Sequence, residues 1–425
     1  MASAAPTPWS RPVVLLSAAG IVAVELACLA GLPLPCSLQM FLLTLFVLIL
    51  GCEFGVGLAV GEREAAMSTS DAAGMPFVAG TLLVGLYLAY KYLDASMINL
   101  VLRAYFTALG GASVAMAALP LAARALDDKV ALLELPLERL QLARKALPVT
   151  WAHVGAAALG AAAAAWWCAT SHWLANNVLG VAFCIVGLSS MNVGSIKNST
   201  LVLAGLFVYD IFMVFGTGYL LGANKVSIME EVATKVEGPI KLLFPLPLED
   251  ARGRPSPYSM LGLGDIIVPG IHLALLQRFD AVLRAGARRA AALAASHSAA
   301  TVAASAQEPL WDAPTPYFNA GCFAYALGII ATNASMHYMN TAQPALLFLV
   351  PAVLALPALL ALANGHATQL WEFKEEEGEA AAPQAGGGAA AWVLEALGLQ
   401  GVADALGLRA LTGQPAAAAE EKKNA

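Results

Sequence analysis

Leu206-Phe207-Val208-Tyr209-Asp210-Ile211-Phe212-Met213-Val214-Phe215-Gly216 sets an aspartate midway along an apolar run that extends over 200–222. A bilayer core of about 30 Å takes roughly 20 such residues as a helix, so the run reads as a membrane span. An ionisable side chain at the centre of such a helix costs about 2.5–3.5 kcal/mol on insertion scales and marks a functional site by default. The next apolar run, 259–278, carries a second one in Met260-Leu261-Gly262-Leu263-Gly264-Asp265-Ile266-Ile267-Val268-Pro269-Gly270. Two such costs in consecutive spans are tolerated most easily when the side chains face one another or share a wet cavity.

Working outward, further runs fall at 13–32, 38–60, 76–93, 98–118, 149–167, 173–191, 318–338 and 342–363. Of the 425 residues 59% are hydrophobic and 12% charged, and mean hydropathy is +0.70. Soluble domains carry about 25% charged residues, and half that supply does not cover a water-exposed surface. The fold class is therefore all-α, a polytopic membrane bundle of about nine helices with room for a tenth at the amino end. Strands are not expected, because the runs are continuous rather than alternating.

The chain divides into an apolar segment at 1–37, spans over 38–222, a loop at 223–258, spans over 259–373 interrupted by a loop near 279–317, and a tail at 374–425. Val13 to Leu32 reads either as a cleaved signal-like segment or as a retained helix; Glu25 within it argues against a free-standing span. Arg124, Lys129, Arg139, Arg144 and Lys145 in the 119–148 connection, with Arg278, Arg284, Arg288 and Arg289 further on, place these connections and the C-terminus on the cytosolic side. The 223–258 loop then lies opposite. In the tail, 380–391 is Ala/Gly-rich linker material, and Trp392 with leucines to Leu411 form a candidate surface helix. The net charge of −6 is spread over loops and tails, with no basic stripe for nucleic acid.

No spacing among the cysteines and histidines suits a metal. The six cysteines read as small core residues, and His153, His272 and His337, near span ends, as interfacial or packing residues. Asn176-Asn177 reads as a span boundary. Two carboxyls held close cannot both ionise cheaply, so one keeps its proton. Such a pair takes a proton from water while polarising a carbonyl, which hydrolyses a peptide bond with neither metal nor cofactor. Gly262 and Gly264 remove side chains and loosen the helix so that an extended peptide can approach, and Pro269-Gly270 permit a bend one turn later. Tyr209 offers a hydroxyl to the cavity, and Pro344, opening the last span, leaves a carbonyl unpaired. From charge alone three readings stand: hydrolysis, proton- or cation-coupled transport, and a structural hydrogen bond. A non-catalytic membrane chaperone gripping the same substrates is a further rival.

Tyr209-Asp210, Gly262-Leu263-Gly264-Asp265 and Gln343-Pro344-Ala345-Leu346, in this order on separate apolar spans, resemble the signature of the intramembrane aspartyl proteases. The wording of His172 to Asn177, Val208 to Thr217, Pro239 to Pro245, Met260 to Asp280 and Gln343 to Pro351 is similar to the signal peptide peptidase branch rather than to presenilin. The resemblance runs from about Ala72 to Glu375. It implies nine spans, with Asp210 and Asp265 on the sixth and seventh as the catalytic pair and Pro344-Ala345-Leu346 beside them. It also implies a lumenal 223–258 loop, a cytosolic carboxyl end, and membrane-embedded signal peptides and type II membrane segments as substrates, and it leaves room for a homo-oligomer. Lys422-Lys423, third and fourth from the end, resemble a cytosolic retrieval signal for the endoplasmic reticulum. Asn198-Ser199-Thr200 is a glycosylation sequon on the cytosolic side and is expected to stay unmodified.

Overall fold

The structure, a computed structural model, describes residues 11–32, 34–58, 66–126, 133–135, 147–220, 227–246, 258–295, 315–339 and 343–375. Both the candidate surface helix at 392–411 and Lys422-Lys423 lie outside them. Helices dominate: α1 Pro12–Leu29, α2 Cys36–Leu58, α3 Thr69–Tyr92, α4 Ala95–Ala125, α5 Trp151–Thr170, α6 Trp173–Ser190 and α7 Ile196–Ile211. A π-helical turn, Phe212–Gly216, leads from α7 into the short α8, Thr217–Leu220. There follow α9 Ile228–Lys235, α10 Gly264–Ala295, α11 Pro316–Met339, α12 Leu346–Ala363 and α13 Ala367–Glu372. Among the described residues nine helices are long and apolar enough to cross a membrane: α1 to α6, α7 with its π-turn, α10 and α12. The 24 residues of α11 match them in length.

Polar residues at the helix starts explain where the elements begin. Ser68 accepts from the Asp71 N–H to cap α3, Asp94 from Ser96 to cap α4, and Ser195 from Asn198 to cap α7. Each satisfies one of the N–H groups a helix start leaves unpaired. The sequon residue Asn198 is itself buried, its carboxamide donating to the Met67 carbonyl at 2.7 Å. The bundle packs through small residues: a Cβ on Gly160 of α5 would sit 2.2 Å from the Gly111 carbonyl oxygen of α4, the close backbone approach that membrane helix pairs favour. At α11–α12, a Cβ on Gly328 would stand 3.0 Å from Leu349 Cα.

Four expectations are corrected. Strands are present: Leu133–Leu135 (β1) pairs with Leu147–Val149 (β2), and Lys241–Pro245 (β3) pairs antiparallel with Tyr258–Gly262 (β4). The 259–278 run is therefore not one helix; its first residues are β4, and α10 starts at Gly264. Hydropathy cannot separate a short apolar strand from the start of an apolar helix. The third span begins at Thr69 rather than 76, because its capping serine lies outside the apolar run. Arg278, Arg284 and Arg288 are helical rather than in a loop, since α10 continues through the alanine-rich stretch to Ala295.

The centre of the bundle is α10, the most buried of the nine spans. It packs against α2, α6, α7, α11 and α12. Leu43, Val47 and Leu48 of α2 meet Ile266, Leu273 and Ala274 of α10 and Ala324, Tyr325 and Ile329 of α11 in one apolar cluster. The two aspartates are held at the edge of this core by α7, α10 and α12.

Candidate active site

Asp210 is the next-to-last residue of α7 before the π-turn. Its residue is 3% exposed, and its Oδ2 is the one carboxyl oxygen among the described residues that is fully buried without a hydrogen-bond partner. Single π-turns in α-helices are frequent at functional sites; here the turn begins two residues after Asp210, at Phe212. Asp265 is the second residue of α10, half-buried, and within electrostatic reach of the Asp210 carboxyl. α7 and α10, which carry the two aspartates, pack against each other.

The third motif lies beside Asp210. Leu346 is the first residue of α12, and its backbone N–H faces the Asp210 carboxyl. The first N–H groups of a helix have no intrahelical partner and carry the positive end of its dipole. Pro344 and Ala345 use their carbonyls locally, Pro344 accepting from Leu347 at 3.2 Å and Ala345 from Phe348 at 3.2 Å. The carbonyl that Pro344 leaves unpaired, four positions earlier, lies outside the described residues; what the structure describes is a helix starting beside Asp210. Half-buried Gln343 precedes it, and the Leu346 side chain locks the junction by packing on Val202, Leu203 and Leu206 of α7.

The glycines also differ from expectation. Gly262 closes β4 and Gly264 opens α10, with buried Leu263 between them donating its N–H to the Ile240 carbonyl at 3.0 Å. Neither glycine loosens a helix. A Cβ on Gly262 would rest 3.5 Å from Asp265 Oδ2, and one on Gly264 would meet nothing within 4 Å. Both bare positions flank the carboxyl and keep its approach open.

Pro269 acts on Asp265 itself. Lacking an N–H, it cannot bond the carbonyl four residues earlier, which belongs to Asp265. The hydroxyl of Tyr325, a fully buried residue of α11, donates to that carbonyl at 3.4 Å and meets the Thr44 hydroxyl of α2. Sequence reading missed Tyr325. The available signal was a proline orphaning a carbonyl at a key residue, which requires a donor from elsewhere.

Tyr209 lies one residue, about 100° of helix, away from Asp210. Its ring packs near Gly80 and lines an apolar groove of about 850 Å³ between α3 and α7, with Pro76, Phe77, Val84, Val208 and Phe212. Its hydroxyl stays within electrostatic reach of Asp210. His272 is buried, the packing alternative of the two expected, and its Nδ1 lies 2.9 Å from Ser199 Oγ. The asparagine pair of α6 is no mere boundary: Asn176 donates to the Lys241 carbonyl at 2.7 Å and Asn177 to that of Leu243 at 2.9 Å.

A family model described as signal peptide peptidase matches residues 60–377. The chain belongs to the signal peptide peptidase family. It is 31% identical over 352 residues to the human signal peptide peptidase, covering 79% of this chain and 82% of that protein. A probable intramembrane protease of Schizosaccharomyces pombe is 29% identical over 332 residues, 78% of this chain and 92% of that one. Intramembrane protease 2 of Caenorhabditis elegans is 39% identical over 206 residues, 48% of this chain and 39% of its own length. No solved structure matches. This family member is thus a multi-pass membrane peptidase, and the matched segment contains all three motifs. Helix α1 and all of α2 described here lie ahead of it.

Proposed function

We propose that Asp210 and Asp265 are the acid–base pair with which this peptidase hydrolyses peptide bonds inside the membrane. The observation that carries the reading is the buried, unpartnered Oδ2 of Asp210, within electrostatic reach of a second carboxyl, at a point where α12 begins. A buried polar atom without a partner costs about 1–3 kcal/mol, a cost a fold keeps where chemistry needs it.

The pair shares one proton. The ionised carboxyl takes a proton from water as the water oxygen attacks the scissile carbonyl carbon. The protonated carboxyl gives its proton to the carbonyl oxygen, and a gem-diol forms. One carboxyl now holds the proton from water, and the other has lost its own. Collapse breaks the C–N bond, the leaving nitrogen takes the proton held by the first carboxyl, and one diol hydroxyl returns its proton to the second. An acid and an amine leave, one water is consumed, and no metal or cofactor takes part.

A helical substrate must unwind before its backbone can reach the carboxyls. By the alternation of the β3–β4 ladder, Met260 and Gly262 of β4 turn their backbone groups away from β3, and an extended substrate segment adds there as a strand. The apolar groove between α3 and α7 suits the arriving helix. Substrates are membrane-embedded signal peptides, in line with the name of the human relative, and type II segments, as the motif resemblance implies. The location is the endoplasmic reticulum membrane with the tail cytosolic, supported by the basic connections and by Lys422-Lys423.

The test is cleavage of a labelled signal-peptide-like helix by purified protein in detergent. Wild type should cut it, and Asp210→Ala and Asp265→Ala should each lose roughly 10²–10⁴-fold or more in rate. Cleavage surviving Asp265→Ala would sink the dyad.

A further inference from the structure

Strand β3 has two edges, and both are occupied. In an antiparallel pair the N–H and C=O of one residue point to one side and those of the next to the other. Leu242 pairs with Leu261 and Phe244 with Ser259 on the β4 side, and the Ile240 carbonyl continues the ladder to the Leu263 N–H. Lys241 and Leu243 consequently turn outward, toward α6. There Asn177 Nδ2 donates to the Leu243 carbonyl at 2.9 Å while its Oδ1 accepts the Leu243 N–H at 2.8 Å. Asn176 Nδ2 takes the Lys241 carbonyl at 2.7 Å. One side-chain amide thus reproduces a rung of a third strand.

The second amide hydrogen of Asn177 goes to Glu25 Oε1 of α1 at 3.0 Å. Asn177 is 1% exposed and Glu25 9%. Turning the amide over would set Oδ1 against both the Leu243 carbonyl and the Glu25 carboxyl, three acceptors with no donor between them. Leu243 and Glu25 thus hold the amide in the same orientation, Glu25 accepting the hydrogen that the strand leaves over. This explains an acidic residue in an otherwise apolar α1, and the brace comes from a helix ahead of the family-matched segment.

We propose that Asn177, oriented by Leu243 and Glu25, is a positioning residue of the peptidase. It closes the outer edge of β3, pins the hairpin in register, and so fixes the height at which Gly262-Leu263-Gly264 delivers Asp265, leaving the free edge to β4. The inference rests on the dyad and strand-edge reading above. A strand slip of one residue turns every side chain to the opposite face, so a loosened hairpin misplaces both the docked substrate and Asp265.

The full-length protein in detergent is assayed on the same labelled helix, with products located by mass spectrometry and hydrogen exchange followed over 241–245. Asn177→Ala should lower kcat by roughly 10–100-fold, with KM within about twofold. It should also spread cleavage over neighbouring bonds and speed exchange in β3. Glu25→Ala should move all three readouts the same way by less. Glu25→Gln, whose Oε1 still accepts, should behave as wild type. Wild-type kcat, cut positions and exchange in Asn177→Ala would overturn the proposal, as would a purified chain whose intact mass lacks α1. If Asn177→Ala does not accumulate, Glu25→Ala, which leaves the amide in place, decides. If wild type itself fails to cleave, the dyad reading falls, while exchange over 241–245 still tests the brace.

Discussion

Asp210 and Asp280 are both buried aspartates in long apolar helices, 3% and 1% exposed, yet they do opposite things. Asp280, four turns along α10 from Asp265, is fully occupied. Its Oδ1 accepts the Tyr317 N–H at 3.3 Å and its Oδ2 the Phe318 N–H at 2.9 Å, capping α11 from another helix. Around it, Arg278 forms two hydrogen bonds to Glu375, at 2.8 and 2.9 Å, and Glu53 joins Arg11 to Gln277. Asp210 keeps a buried oxygen with no partner. Burial alone does not separate the structural Asp280 from the Asp210 proposed as reactive; the state of their hydrogen bonds differs.

The comparison can be broken at several points. The largest stability effect is expected from Arg278→Ala, which strands the Glu375 carboxylate, a side chain 6% exposed. Breaking one partner of a buried pair costs about 3–5 kcal/mol, so the melting temperature in detergent should fall steeply, with Glu375→Ala close behind. Asp280→Asn comes next: one oxygen replaces two, orphaning a helix N–H at about 1–3 kcal/mol, and denaturation should begin at α11. Activity per folded molecule should survive both substitutions.

Smaller again is Tyr325→Phe. It removes the hydroxyl that serves the Asp265 carbonyl and should cost about 1 kcal/mol in stability. A fall in kcat larger than that in folded fraction would show that the hydroxyl also holds the aspartate in place. The smallest stability effect belongs to Asp210→Asn, within about 0.5 kcal/mol of wild type or more stable, although cleavage should be lost. An Asp210→Asn protein as unstable as Asp280→Asn would end the distinction between the two aspartates.

Much of the site was legible because membrane burial makes ionisable residues conspicuous. Asp210 and Asp265 stand out against lipid-compatible neighbours, and the three motifs fall on α7, α10 and α12 as their apolar runs implied. Glu53 and Asp280 were passed over, since each lies near the end of a run where a charge looks interfacial. Pro269 was seen as a bend, whereas its consequence is a carbonyl that needs Tyr325, 56 positions away in the chain by their numbers. Gly262 reads as helical from sequence yet closes a strand, because a short strand and the first turns of a helix are not separated by hydropathy.

By itself, then, the sequence determined the solvent and the class of fold and singled out the two carboxyls proposed as the pair, since these follow from counting apolar length and charge cost. Tertiary structure alone decided that β4 precedes Asp265, that α12 starts at Asp210, and that Glu25, Asn177 and Leu243 form one chain of hydrogen bonds. Hydrogen bonds act over about 3 Å and depend on direction, so partners 152 and 66 residues apart are set by packing rather than by any local pattern.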